Sequence, residues 1–187
     1  MAREFYPLTI GDQQRDLPLF RVAPGLRIAV LNILGDPALT EAAADMLAER
    51  LQAVEFDVLV TAEAKSIPLI HALALRCGKD SVVLRKHYKP YMGDALEATT
   101  VSITSGREQQ LFLDEKDRAL LHGRRVLLLD DVISTGSTLD GMRQLAEQAG
   151  GAVAAIAAIC TEGDRDRHRG VIALAHLPLF TDRSSRT

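Results

Sequence analysis

Asp130 and Asp131 stand at the carboxyl end of an apolar run, Val126 to Leu129, and Ser134, Thr135, Gly136, Ser137 and Thr138 follow within a few residues. The run is apolar on both faces, as a buried parallel strand requires. The two carboxylates therefore fall on the edge where open α/β sheets bind ligands. The hydroxyl and glycine segment lies where a helical pattern begins, so main-chain N–H groups and the positive end of a helix dipole face an anion there. Carboxylates for sugar hydroxyls beside a loop for a phosphate describe a site for a phosphorylated sugar. Either half alone is ordinary turn and cap chemistry; their adjacency carries the reading. The string lacks the lysine of a Walker A loop. It also lies two-thirds along the chain, whereas the acidic pair of a receiver domain closes the first strand.

Cations reach the same edge. The segment TAEAKSIPL, 61–69, follows another apolar strand, and its Lys65 can neutralise a diphosphate while Ser66 and the helix start behind it add donors. Leu84, Arg85 and Lys86 bring two more cations out of a strand, and His87, Tyr88 and Lys89 extend the cluster. Residues 87–98 contain Pro90 and Gly93 with little periodicity, which reads as a lid that closes to exclude water.

The elements that must hold these groups alternate strand and helix, the pattern of an α/β domain with a parallel sheet. Strands are expected at Phe56 to Thr61, Ser81 to Lys86, Thr99 to Thr104, Gln109 to Leu113 and Val153 to Cys160, with a turn at Ser105 and Gly106. Helices are expected at Leu39 to Leu51 behind an Asp36 and Pro37 start, at Pro68 to Cys77, from an Asp114 cap through Leu121 to Gly123, and at Thr138 to Ala149. Residues 1–34 and 162–187 fit the repeating unit poorly, and the terminal RSSRT is expected to be disordered.

With 187 residues, 47% hydrophobic and 25% charged, the chain has room for one domain, 1–187, with a sizeable core. Its net charge of −3, from 22 basic and 25 acidic residues without a basic block, argues against a nucleic-acid partner. No apolar run approaches the roughly 20 residues that span a bilayer, and the N-terminus lacks a signal-peptide core, so a cytoplasmic protein without a membrane partner is expected. Cys77 and Cys160 form no disulfide or zinc pattern and read as buried small hydrophobes.

The strand, acidic pair and hydroxyl loop of VLLLDDVISTGST, 126–138, resemble the signature of the type I phosphoribosyltransferases, and the likeness extends over residues 24–162. It implies a central parallel sheet flanked by helices, a core at about 36–162 and a small hood from about 1–34 and 162–180. It also implies that Asp130 and Asp131 hold the ribose hydroxyls of 5-phosphoribosyl 1-diphosphate (PRPP) and that Ser134, Thr135, Gly136, Ser137 and Thr138 hold its 5-phosphate. Ala64, Lys65 and Ser66 take the diphosphate loop, with a non-proline cis peptide expected at Ala64–Lys65. Arg85, Lys86 and Lys89 contact PRPP from the basic segment. The resemblance further implies Mg2+, shared by PRPP oxygens, Asp130, Asp131 and water, and a homodimer.

The purine branch is the most similar. PGLRIAVLNILGDPALTEAAADMLAERL, 24–51, resembles the adenine enzymes in its Pro and Gly pair and its Asp and Pro helix start; EAKSIPLIHALAL and RKHY resemble adenine-type enzymes acting on hypoxanthine or guanine. Three departures stand out: Ala29 and Val30 replace an Arg and Asp pair, Ser66 replaces a glycine, and Thr104 aligns with a glutamate assigned to proton transfer. The implied activity is transfer of phosphoribosyl from PRPP to a purine nitrogen, with Asp131 as base-side proton acceptor and Arg85, Lys86 and Lys65 stabilising the departing diphosphate. A PRPP-sensing regulator is the alternative, since TVSITSG, 100–106, is similar to the corresponding domain of purine repressors; the length and mild acidity argue against an added DNA-binding unit. An enzyme for hypoxanthine, guanine, xanthine or orotate remains a further alternative.

Overall fold

The computed structural model describes residues 4–101 and 108–181. In chain order it contains β1 (Phe5–Ile10), β2 (Gln13–Ala23), β3 (Leu26–Ala29), α1 (Pro37–Arg50), β4 (Val58–Ala62), α2 (Ile67–Cys77), β5 (Asp80–Leu84), β6 (Leu96–Val101), β7 (Glu108–Leu113), α3 (Arg118–Leu121), β8 (Arg125–Ile133), α4 (Ser137–Gln148), β9 (Ala152–Glu162), β10 (Val171–Leu177) and β11 (Phe180–Thr181).

Five strands form a parallel sheet in the order β10-β9-β8-β4-β5. Val58 to Ala62 are all buried, as are Val126 to Leu129, because helices or other strands cover both faces of the sheet. On one face Leu59, Leu127, Leu129 and Ile159 pack with α1, α2 and the strands from both termini. On the other, Val60, Val82, Leu84, Val126 and Leu128 pack with α4 and the β6–β7 ribbon. The chain winds from β4 to β5 in one direction and from β8 through β9 to β10 in the other, so the order reverses between β4 and β8. Their carboxyl ends frame the crevice in which such sheets bind ligands.

A second sheet, β1-β2-β3-β11, brings the two terminal segments together as the hood. It is fixed to the core where the Arg15 guanidinium on β2 donates to both carboxylate oxygens of Asp36 at 2.6 and 2.8 Å, while Asp36 also caps α1 by accepting from the Leu39 N–H at 3.2 Å. Pro37 takes the first helical position, where its missing N–H costs nothing.

The hood boundary differs from the sequence expectation. Residues 162–180 do not all belong to it, because β10 joins the main sheet as an edge strand paired in parallel with β9. Its connection from β9 is a short 3-10 turn at Arg165–His168 rather than a helix, which removes the helical signal expected between parallel strands. The first core strand starts and ends later than Phe56 to Thr61, and the Ser81 to Lys86 strand ends at Leu84. The turn at Ser105 and Gly106, Thr104, and the terminal RSSRT lie outside the described residues. Both cysteines are free thiols, and burial pushes that of Cys160 up to about 12.

Residues 87–98 are not one irregular lid. Pro90–Met92 forms a 3-10 turn with Met92 only 1% exposed, and Leu96 already begins β6. The Asp94 N–H donates to Glu115 at 2.8 Å, which ties the segment to the body of the protein, and within it the Tyr88 hydroxyl donates to the Gly93 carbonyl at 3.1 Å.

Candidate functional site

The end of β8 carries Asp130 and Asp131 at the carboxyl edge of the sheet. The loop after β4 closes over them. Ser66, 1% exposed, sits at the N-cap of α2 but makes no side-chain cap bond. Its hydroxyl instead lies 2.8 Å from Asp130 Oδ1 and 3.3 Å from Asp131 Oδ1, and accepts the Asp131 N–H at 2.8 Å. Lys65 Nζ lies 2.8 Å from Asp131 Oδ2 and donates to the Leu31 carbonyl at 3.4 Å. Burial, reinforced by the adjacent Asp131 carboxylate, pushes the Asp130 carboxyl well up from the usual range. The pair is therefore poised for cationic or hydroxyl partners that would satisfy it.

The loop after β8 turns tightly into α4. Gly136 takes φ +87 at the N-cap of α4, a conformation that excludes most side chains. Residues 132–139 and Asp130 surround a small cavity of about 90 Å³. The Thr138 hydroxyl donates to Gln109 Oε1 on β7 at 3.2 Å, and the Thr135 and Ser137 hydroxyls lie 3.4 Å apart.

A larger cavity, about 650 Å³, opens between the hood and this loop. Val22, Leu26, Ile28 and Leu179 give it apolar walls, Ser134 and Thr135 border it, and Glu162 and Arg167 supply charge. Glu162 is 7% exposed, and burial pushes its carboxyl up against the opposing influence of Ser134 and Lys65. Sequence reasoning missed Glu162; the only available signal was an acidic residue ending a strand parallel to β8. Asp131 is not among the residues lining this cavity.

The basic segment is divided. Arg85 continues past β5 into an antiparallel bridge with Phe112, with N–H to carbonyl bonds of 2.9 and 2.8 Å. Its guanidinium donates to Glu63 Oε2 at 2.6 Å, facing a separate cleft shared with Ile67 and Tyr91. Lys86 donates its backbone N–H to Glu63 Oε1 at 2.7 Å and, like Lys89, presents an exposed side chain. Burial alone would raise the Glu63 carboxyl, yet these donors and the Arg85 charge hold it below the usual range. The structure thus brings Lys65, Ser66, Asp130 and Asp131 together, but directs Arg85 to Glu63. Two expectations are corrected. The cis peptide lies at Glu63–Ala64, one bond earlier than Ala64–Lys65, and the Ser66 hydroxyl faces the carboxylates rather than an open diphosphate site.

The phosphoribosyl transferase domain family matches residues 29–173, which include β4, β8 and the loops that carry Lys65, Ser66, Asp130, Asp131 and Ser134 to Thr138. The chain belongs to that family. It is 31% identical over 143 residues to the adenine phosphoribosyltransferase of Thermosipho africanus, covering 76% of this chain and 81% of that one. It is 32% identical over 136 residues to the purine biosynthesis transcriptional repressor PurR of Bacillus subtilis, covering 73% of this chain and 47% of the repressor. The chain spans about half the length of the purine regulators it matches. Among solved structures, the adenine phosphoribosyltransferase of Thermoanaerobacter pseudethanolicus superposes with a TM-score of 0.65 at 22% identity, over 92% of this chain and 95% of that one. This likeness establishes the type I phosphoribosyltransferase fold, with its parallel five-stranded sheet flanked by helices.

Proposed function

We propose that this family member transfers phosphoribosyl from PRPP to a purine base, giving a nucleoside monophosphate and diphosphate in purine salvage. The carrying observation is the order of sites along one sheet edge: Lys65 at the β4 loop, the Asp130 and Asp131 carboxylates at the switch point, the hydroxyl loop ahead of α4, and the apolar cavity beyond it. Diphosphate, ribose and 5-phosphate are three consecutive parts of PRPP that match the first three, and the hood cavity beside them offers apolar walls for a flat heterocycle that meets C1 of the ribose.

Asp130 and Asp131 accept bonds from the ribose hydroxyls, and Lys65 leaves Asp131 for the diphosphate when PRPP arrives. The loop at Ser134, Thr135, Gly136, Ser137 and Thr138 anchors the phosphate through its N–H groups. The cavity holds the base against Val22, Leu26 and Ile28, with Glu162 as the buried carboxyl on its wall. As the C1–oxygen bond to diphosphate breaks and the C1–nitrogen bond forms, the proton of the base nitrogen leaves with the diphosphate, so little covalent work falls to the protein, and positioning and electrostatics dominate. Asp131 remains a ribose ligand in this reading; Lys86 and Lys89 reach the diphosphate from solvent, and Arg85 does so only on leaving Glu63.

Magnesium fits the donor set in a limited way. Asp131 Oδ2 is buried with no hydrogen-bond partner other than the neighbouring Lys65 charge. No group of three or more His, Cys, Asp or Glu residues gathers among the described residues. Asp130 and Asp131 would hold the ion together with ligand and water oxygens, the arrangement magnesium favours; it would neutralise diphosphate charge. No helix among the described residues is long and apolar enough to cross a membrane, and the reading assigns the protein to the cytoplasm. A homodimer is part of the proposal, since Ile67, 38% exposed, shares a cleft with the 71% exposed Tyr91, and Leu75 on the same helix is 71% exposed.

Adenine, hypoxanthine, guanine, xanthine and orotate, each offered with PRPP and magnesium, test the proposal through diphosphate release. Release with at least one purine is expected. The similarity to PurR favours a second reading, a PRPP-binding regulator, which predicts tight PRPP binding and no release with any base.

A further inference from the structure

We propose that Ser66 is a positioning residue that locks the diphosphate loop to the ribose carboxylates, so that Asp130 and Asp131 are held in register by a hydroxyl from the neighbouring strand's loop. The inference rests on the phosphoribosyltransferase reading for its consequence in PRPP binding, but its geometry is independent of that reading.

A serine at the N-cap of a helix ordinarily spends its oxygen on the first turn's N–H groups. Here the hydroxyl makes no such bond. It accepts the Asp131 N–H at 2.8 Å and lies 2.8 Å from Asp130 Oδ1 and 3.3 Å from Asp131 Oδ1. Its single proton goes to the nearer oxygen, on Asp130, while its lone pair fixes the backbone between the two acidic residues. The same Asp131 N–H also approaches Asp130 Oδ1 at 2.9 Å, so three groups share one small polar knot. Two like charges side by side in a buried setting repel, and a donor between them reduces that cost.

The knot also spans the switch point. β4 and β8 are paired directly only from Val58↔Val126 to Val60↔Leu128. Beyond that register the strands are joined by side chains: the Thr61 hydroxyl donates to the Leu129 carbonyl at 2.7 Å, and Ser66 makes the next tie. Ser66 is one residue from Lys65, which holds Asp131 from its other oxygen at 2.8 Å. Removing the hydroxyl therefore leaves the Asp131 N–H with only the neighbouring Asp130 Oδ1 and lets the carboxylates turn toward Lys65.

The test compares the parent with Ser66→Ala and Ser66→Gly in the full chain. PRPP affinity with magnesium is measured by calorimetry, steady-state constants by diphosphate release, and exchange of the Asp131 amide without ligand by NMR. Both variants are expected to bind PRPP at least fivefold more weakly and to raise the KM for PRPP, with the KM for the base unchanged. The Asp131 amide is expected to exchange at least tenfold faster while amides of β9 hold their protection, which separates a local effect from unfolding. If the parent binds PRPP and both variants match it in affinity and KM, the proposal is overturned. If the parent binds no PRPP, the phosphoribosyltransferase reading fails. The amide measurement then decides the positioning role alone: faster exchange in the variants upholds it and unchanged exchange overturns it.

Discussion

Glu63 holds Arg85 by its side chain and Lys86 by its backbone, at 2.6 and 2.7 Å, so one carboxylate just before the diphosphate loop fixes the start of the basic segment. β4 and β5 are neighbours in the sheet, and this contact continues their pairing beyond the ladder, with the Glu63 N–H donating to the Leu84 carbonyl at 2.9 Å. Glu63→Ala should lower stability by about 1 to 2 kcal/mol, less than a fully buried charge pair, because Arg85 is 37% exposed and partly screened. Thermal or denaturant unfolding of the purified variant measures the loss. A midpoint equal to the parent's would show that the contact contributes nothing.

The Asp131 carboxylate is 5% exposed, and its two oxygens face Ser66 and Lys65. Asp131→Asn keeps the size of the side chain but removes the charge that ribose hydroxyls and a magnesium ion would meet. PRPP affinity should fall by at least about tenfold, or roughly 1.4 kcal/mol. Calorimetry on a folded variant checks this, and unchanged affinity would remove Asp131 from the ribose site.

The signature loop was legible in sequence because its parts are local: strand, carboxylates, hydroxyls and helix start follow one another within 126–138. The α1 start at Asp36 and Pro37 and the helix ending at Cys77 were legible for the same reason. What escaped are groups set by pairing between distant segments. Glu63 looks like any loop acid until β4 and β5 lie side by side. Glu162 matters only because β9 runs parallel to β8 and ends beneath the hood. β10 is hard to place from sequence because the charged stretch 163–170 ahead of it forms a 3-10 turn and carries no crossover-helix signal. Periodicity cannot show which neighbour a guanidinium chooses, so the contact of Arg85 with Glu63 is not legible in the sequence.

Gly136 tests the phosphate loop. A Cβ there would meet no atom within 4 Å, so the cost of Gly136→Ala is backbone strain at φ +87, about 1 kcal/mol. Gly78→Ala is the matched control, with φ +61 and equally open space at the far end of α2. Both variants should lose similar stability. Only Gly136→Ala should weaken binding of inorganic phosphate or a nucleoside monophosphate, by at least about fivefold or roughly 1 kcal/mol. Equal phosphate affinity in the two variants, measured by calorimetry, would detach the anion from this loop.

Asp36 links hood and core, and its contribution depends on pH. The hydrogen bonds from Arg15, followed by the Leu39 N–H and the Arg15 charge, hold its carboxyl below the ordinary value of 3.8 against a smaller effect of burial. A depressed carboxyl stabilises the fold above its unfolded value and loses that contribution as pH falls through its folded value. Asp36→Ala should cost about 1 to 2 kcal/mol near neutral pH, from the cap and the bidentate ion pair together. The gap in unfolding free energy between parent and Asp36→Asn, which keeps a cap acceptor without the charge, should narrow as pH falls below about 4. A gap that stays constant from neutral pH to pH 3 would mean that the charge on Asp36 is immaterial.

Glu162 separates the base site from the PRPP site. Its carboxyl lines the hood cavity with Leu26 and Ile28, whereas Asp130 and Asp131 do not line it. Glu162→Gln preserves shape but removes an acceptor that a purine N–H would use. The KM for the base should therefore rise by about tenfold, roughly 1.4 kcal/mol, while PRPP affinity stays within twofold of the parent. The preference among the five bases should shift as well, because an amide offers a donor as well as an acceptor where the carboxylate offers only acceptors. Steady-state diphosphate release with each base, alongside calorimetry with PRPP alone, gives both quantities on one preparation. A loss of PRPP affinity with no change in base KM would move Glu162 from the base cavity to the support of Ser134 and the phosphate loop.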